Sequence, residues 1–321
     1  MESFEYKNYL QKRKMELAEL KLYYLKERAY EFEQQIPLTG FNSRKVVHPL
    51  PLLAVTLSRI IDGYNLHVIA DKREKTDKPI IFASTHCHPE DPSSAFEAIK
   101  SHAYLFLGDP EDVYQKIEGL LLSLNGVIYL ETRVEQCYIQ ELLDLGLINK
   151  KEVEEIKSLI KFDRKIAYAR ALEVLKNKSN LLIFPEGAVN ITPNLPVMGL
   201  FPGAVKLALE TGAEIVPMAL ERYGKDIYAN IGENIRVTNR GSTSIQYYNE
   251  KLRDSLATLK WQIWETQGIH SRIDLPTEEE FIAGVMDTSD FIYSVEDIYE
   301  TMYKDPNIVT PEEVFTLKKH I

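Results

Sequence analysis

The chain has 321 residues, 45% of them hydrophobic and 27% charged, with two cysteines and a net charge of −10. That balance excludes intrinsically disordered, collagen-like and disulfide-stapled classes and suits one large domain or two small ones. Cys87 and Cys137 have no paired spacing, which removes zinc ribbons and fits a reducing compartment. The charge is uneven: residues 274–314 hold twelve acidic residues against Lys304, and the rest of the chain sums to +1. Nucleic-acid binding, which needs clustered Lys and Arg, is not expected, whereas a local anion site in the neutral body stays open.

The N-terminus lacks the basic-then-apolar pattern of a signal peptide. Residues 3–35 contain no Gly or Pro and read as a long solvated helix with one apolar stripe (Leu10, Leu17, Leu20, Tyr24). Residues 49–61 read as a second, strongly apolar helix with prolines at its start. The most apolar stretch, 46–61, is broken by His48, Pro49, Pro51 and Arg59, and no run reaches the ~20 apolar residues of a spanning helix. The expectation is a cytoplasmic protein that at most lies peripherally on the inner face of a membrane.

From residue 66 the pattern changes. Short β-branched or aromatic runs at 66–70, 80–84, 104–107, 127–131, 181–184 and 215–220 alternate with helical segments at 92–101, 110–124, 151–176 and 203–211. Such alternation predicts an α/β domain, a central mixed sheet covered by helices on both faces. Residues 226–237 read as a late strand bent at Gly232, and 249–268, with Trp261 and Trp264, as a helix. The expected organisation is an N-terminal helical segment over 1–62, an α/β catalytic domain over 63–248 and a helical, acidic C-terminal extension over 249–321.

Ligands of α/β sheets gather where strands end, and two strand ends here are unusual. The run Ile80-Ile-Phe-Ala-Ser-Thr85 delivers His86 to an exit loop, and Asp91 follows after four intervening residues. Asp91-Pro92 also makes a good helix start, so two readings stand: a mere cap, or a carboxylate that fixes the His86 tautomer and raises its basicity. The run 181–184 ends in Phe184-Pro185-Glu186-Gly187, where Pro stops the ladder and Gly permits a tight turn. Glu186 is then either a solvated turn residue or a ligand to a hydroxylated molecule. His86-x-His88 with Glu90 and Asp91 also suggests a metal-dependent hydrolase, but the remaining five of seven histidines form no ligand array. Cys87 alternates in direction with His86 on an extended backbone, which counts against it as a nucleophile.

His86-x4-Asp91 followed by Phe-Pro-Glu-Gly resembles the glycerolipid (lysophospholipid) acyltransferase superfamily, in particular its 1-acylglycerol-3-phosphate acyltransferases. Gly126-Val-Ile-Tyr-Leu-Glu-Thr-Arg133 is similar to that family's Gly-x-Ile-aromatic-Ile-Asp-Arg block, and 203–217 resembles its following helix and Val-Pro strand. The resemblance spans 66–237. It implies transfer of a fatty acyl group from acyl-CoA or acyl carrier protein to a hydroxyl, with His86 as general base and Asp91 as its partner. It also implies no metal or redox cofactor, Glu186 and Gly187 lining the acceptor site, and Arg133 on the acceptor's phosphate. A catalytically inactive lipid-binding protein of the same fold is the alternative. Departures are Thr85 where the family often has Asn, and Ala188-Val189 where it usually has Thr-Arg. An insertion ending in Phe162-Asp163-Arg164 makes Arg164 the second candidate for the phosphate.

Overall fold

The structure, a computed structural model, describes residues 63–88, 91–107, 126–130, 148–187, 189–190 and 195–268, with positions 26, 56, 60, 143, 144 and 146. The expected helices over 3–35 and 110–124, most of that over 49–61, the acidic tail and Arg133 lie outside the described residues.

Eight described strands form one sheet: β1 (Asn65–Asp71), β2 (Ile80–Ser84), β3 (Ala103–Leu107), β4 (Val127–Tyr129), β5 (Asn180–Ile183), β6 (Glu214–Tyr223), β7 (Asp226–Ile231) and β8 (Ile235–Arg236). Their order is β1-β7-β6-β2-β5-β3-β4, with β8 beside the start of β6. The strands β4, β3, β5, β2 and β6 run parallel, whereas β7 and β8 lie antiparallel to β6, so the sheet is mixed. Central strand β2 shows why both faces must be covered. Ile81, Phe82 and Ala83 are all 0% exposed, and strand alternation sends Phe82 to one face and its neighbours to the other.

Helices supply that cover. Helix α1 (Asp91–Ile99) packs Ala95, Phe96, Ala98 and Ile99 on the Phe82 face. Helix α2 (Lys150–Lys176) starts from a capping box in which the Asn149 side chain accepts from the Lys151 and Glu152 N–H groups and Glu152 answers the Asn149 N–H. Its first turns, through Val153 and Ile156, join the Phe82 face, and its last, through Ala167, Ala171, Val174 and Leu175, join the opposite one. Helices α3 (Gly203–Thr211) and α4 (Ser244–Thr266) complete the opposite layer. Helix α4 crosses residue 248, and its Tyr248, Leu252 and Leu256 belong to the same core as the sheet.

The late strand differs from its expected form. Residues 226–237 make two short strands, because Pro217 of β6 interrupts the ladder opposite them. The Pro217 carbonyl accepts the Gly232 N–H at 2.9 Å, so the nitrogen that lacks a proton faces the same neighbour and offers no bond there. Gly232 fits at the break, where a Cβ would meet the Pro217 ring at 3.0 Å and Leu259 at 3.1 Å.

Candidate active site

The site forms where the adjacent parallel strands β2 and β5 end. Beyond β2 the chain stays anchored to β6 for one more residue. Thr85 N–H donates to the Met218 carbonyl at 3.0 Å, and its hydroxyl donates to the Leu220 carbonyl at 3.2 Å and accepts the Leu220 N–H at 2.9 Å. Thr85 is 1% exposed, so this hydroxyl does the backbone pairing that the strand no longer supplies.

His86 comes next. Its N–H donates to Glu186 Oε1 at 3.0 Å and its carbonyl accepts the Asn190 N–H at 2.7 Å, so both backbone groups are tied to the turn after β5. The imidazole leans on the Phe184 ring, centroids 4.5 Å apart. Asp91 holds the ring from the other side: Nδ1 lies 3.0 Å from Asp91 Oδ2. The same oxygen accepts the Cys87 N–H at 2.6 Å and the His88 N–H at 2.8 Å. The cap and partner readings of Asp91 therefore merge: it opens α1, and its carboxylate turns back to the loop that carries His86. Burial pushes the Asp91 pKa up, but the bond from His86, the charges of His86 and His88 and the His88 N–H hold it below the ordinary value. An ionised Asp91 accepts only, so Nδ1 carries the proton and Nε2 is the basic nitrogen of neutral His86. The His86 side chain is 15% exposed and that of Asp91 4%, which leaves the imidazole reachable and the carboxylate sealed.

Glu186, expected to line the acceptor site, is held at the base of this loop. It is 4% exposed, and its second oxygen accepts the Met198 N–H at 2.8 Å, so each carboxylate oxygen already holds a backbone donor. The side chain braces the His86 backbone through Oε1. Burial raises its pKa to about 7, against the downward pull of the Met198 and His86 N–H groups and of Lys260. A folded pKa above the ordinary 4.5 means that its stabilising contribution is complete below that value and is lost as pH rises through about 7. Asp91 has the opposite sign: its contribution is present above 3.8 and is lost as pH falls through the lowered folded value. Glu186→Gln removes the first titration. The stability advantage of the wild type over this variant is expected to shrink by about 1–3 kcal/mol between about pH 5 and about pH 8. Urea unfolding at both values checks this, and a constant difference would show that Glu186 does not titrate there.

Gly187 completes the turn at φ +71°, and a Cβ would stand 2.5 Å from the Phe201 ring. Gly187→Ala is expected to cost about 2–4 kcal/mol, combining left-handed strain with overpacking, as read by denaturant midpoint. Of the two arginines, Arg164 lies on α2 beside Asp163, which is 2% exposed, and Arg133 falls outside the described residues.

The neighbours with competing readings are otherwise engaged. Cys87 is 6% exposed, its thiol lies against the Leu220 carbonyl at 3.6 Å and Asp91 Oδ1 at 3.9 Å, and burial pushes its pKa well up. That is the opposite of an activated nucleophile. His88 is 4% exposed with Arg222 Nη1 at 2.7 and 2.8 Å from its two nitrogens. Burial and that guanidinium lower its pKa to about 4. A cation so close opposes a metal on His88, and among the described residues no three His, Cys, Asp or Glu side chains gather as ligands.

Sequence reasoning missed two parts of this site. Phe184 ends the strand run and opens the Phe-Pro-Glu-Gly motif, and only the structure shows its ring against His86. Lys260 of α4 was read only as part of a helix, yet it is 4% exposed and reaches the Leu220 carbonyl at 2.5 Å. The signal was there: Leu252, Leu256, Leu259, Ile263 and Trp264 define the buried stripe of α4, and Lys260 stands within it.

Residues 65–221 match the family model described as Acyltransferase. The matched segment, just under half of the chain, carries His86, Asp91 and Glu186. Among solved structures, it is similar to the 1-acyl-sn-glycerophosphate (LPA) acyltransferase PlsC from Thermotoga maritima, at 15% identity and a TM-score of 0.46, over 82% of this chain and 99% of that one. None of the curated proteins matches.

Proposed function

We propose that the protein moves a fatty acyl group from a thioester, acyl-CoA or acyl carrier protein, to a hydroxyl of a glycerolipid-type, lysophospholipid-like acceptor. The observation that carries this reading is the His86–Asp91 pair, 3.0 Å apart at the end of β2 within the family segment. His86 Nε2 takes the proton of the acceptor hydroxyl as its oxygen attacks the thioester carbonyl, and Asp91 stabilises the imidazolium that forms. The tetrahedral intermediate collapses, the carbon–sulfur bond breaks, and the imidazolium returns its proton to the leaving thiolate. An ester and a thiol result, with no acyl group left on the protein. No described helix is long and apolar enough to cross a membrane. A lipid acceptor places the working site at a membrane surface, which the protein visits peripherally from the cytoplasmic side.

The acceptor class is open to a direct test. With Ala188-Val189 replacing Thr-Arg, the usual cation after the Phe-Pro-Glu-Gly turn is missing. A charge-assisted bond to phosphate contributes about 1.5–3 kcal/mol, so its loss relaxes the preference for phosphorylated acceptors by roughly 10- to 200-fold. Labelled acyl-CoA and acyl carrier protein, each offered with lysophosphatidate, monoacylglycerol and a glycolipid, give the comparison by kcat/KM and product mass. A weak phosphate preference, unchanged in Arg133→Ala and Arg164→Ala, is expected. A strong preference that collapses in either variant would locate a relocated clamp and refute relaxed specificity.

A further inference from the structure

Behind the His86 loop lies a buried ion pair that belongs to neither of the two motifs. Lys260 Nζ is 3.0 Å from Glu221 Oε2, with side chains 5% and 9% exposed. The same Glu221 oxygen accepts the Trp264 indole N–H at 2.7 Å, and its partner oxygen accepts the Arg222 N–H at 3.0 Å. A buried pair of this kind contributes little net stability, because desolvating two charges offsets their attraction. What it holds is therefore more informative than what it stabilises.

Lys260 holds the Leu220 carbonyl at 2.5 Å. That carbonyl also accepts from the Thr85 hydroxyl and the Cys87 thiol, the residues on either side of His86. We propose that Lys260 is a positioning residue of the acyl-transfer site, pinning the strand exit that carries His86 and supplying the buried positive charge that balances the carboxylates around it. This rests on the acyltransferase reading above and adds a component from α4, beyond the end of the family segment at residue 221.

The charge balance is a property of the whole pocket. Facing the His86 loop are Asp91 from α1, Glu186 from the turn after β5, Glu221 and Arg222 from β6, His88 from the loop itself and Lys260 from α4. As whole residues Asp91, Glu186, Glu221 and Lys260 are all buried, which gives three carboxyl groups to one ammonium. Burial alone would lower the Lys260 pKa. Coupling to Cys87, Glu221 and Asp91 instead raises it above the ordinary value, so it stays charged. The attraction is mutual: Lys260 also pulls the Glu186 pKa down. Without this ammonium the Leu220 carbonyl loses its charged donor and the buried carboxylates lose their counter-charge, which loosens the strand exit that carries His86.

The test compares full-length wild type, Lys260→Met and Lys260→Arg. The His86 loop is followed by NMR of its backbone amides, and kcat and KM are measured with an acyl-CoA and lysophosphatidate. Lys260→Met is expected to shift the Thr85, His86 and Cys87 amide resonances, because the Leu220 carbonyl that holds this loop loses its charged donor. It should lower kcat about 10- to 100-fold with little change in KM. Lys260→Arg, which keeps the charge, should restore most of both. Unmoved amide resonances with wild-type kcat in folded Lys260→Met overturn the proposal, as does a Lys260→Arg variant no better than Lys260→Met. Should Lys260→Met fail to fold because it strands Glu221, Lys260→Met/Glu221→Gln is read instead. At least a tenfold loss of kcat at constant KM then supports the proposal, and wild-type kcat overturns it. The amide resonances need no turnover: a wild type that moves no acyl group refutes the function proposed above, while the shifts of the His86 loop still judge Lys260.

Discussion

Replacing His86 with alanine is expected to lower kcat for acyl transfer by ~10²–10⁴-fold while the protein stays folded. The magnitude is that of a general base removed from a proton transfer. The fold survives because the loop is held by the His86 backbone, through Glu186 and Asn190, and not by its ring. Among the described residues, the ring contributes its bond to Asp91 and its contact with Phe184. Circular dichroism and a urea transition establish folding, and turnover with acyl-CoA measures the loss. A folded variant with near-normal kcat would remove His86 from the mechanism.

Asp91 is expected to behave differently from its partner, since one carboxylate oxygen serves three donors. Asp91→Ala strands the Cys87 and His88 N–H groups as well as His86 Nδ1. Both activity and stability should fall, the latter by about 2–4 kcal/mol, and kcat should approach that of His86→Ala. Asp91→Asn separates the two effects. An amide oxygen can take the place of Oδ2 and keep the loop and the tautomer, but it brings no charge to the imidazolium. A loss of about tenfold in kcat with a smaller loss of stability is expected, the difference between a charged and a neutral acceptor. Equal kcat losses in the Asn and Ala variants would mean that the charge of Asp91, rather than its hold on the loop, accounts for the whole effect.

The α/β alternation was legible because strands and helices bury different periodicities. The runs at 80–84 and 203–211 match β2 and α3, and 151–176 misses α2 by one residue at its start. The break between β7 and β8 was less legible. Gly232 marked a bend, but its cause is Pro217 on the neighbouring strand, and strand pairing is not written in local sequence. The proximity of His86 and Asp91 could be foreseen because four intervening residues span one loop into a helix start. The inward direction of Glu186 could not. It follows from the Gly187 turn and from the Met198 N–H twelve residues on, a partner that only the folded chain supplies. Lys260 was hidden for a related reason: its place in the α4 stripe says that it is buried, and only the sheet says against which carbonyl.

The central claim, direct transfer with His86 as base, is tested most directly by thiol release from acyl-CoA or acyl carrier protein, with and without acceptor, alongside intact-protein mass. The expected result is thiol release that requires the acceptor, matches acylated product one for one, disappears in His86→Ala and leaves the protein mass unchanged. Thiol release without acceptor, together with an acyl group on the protein, would contradict direct transfer. Unchanged release in His86→Ala would contradict the base.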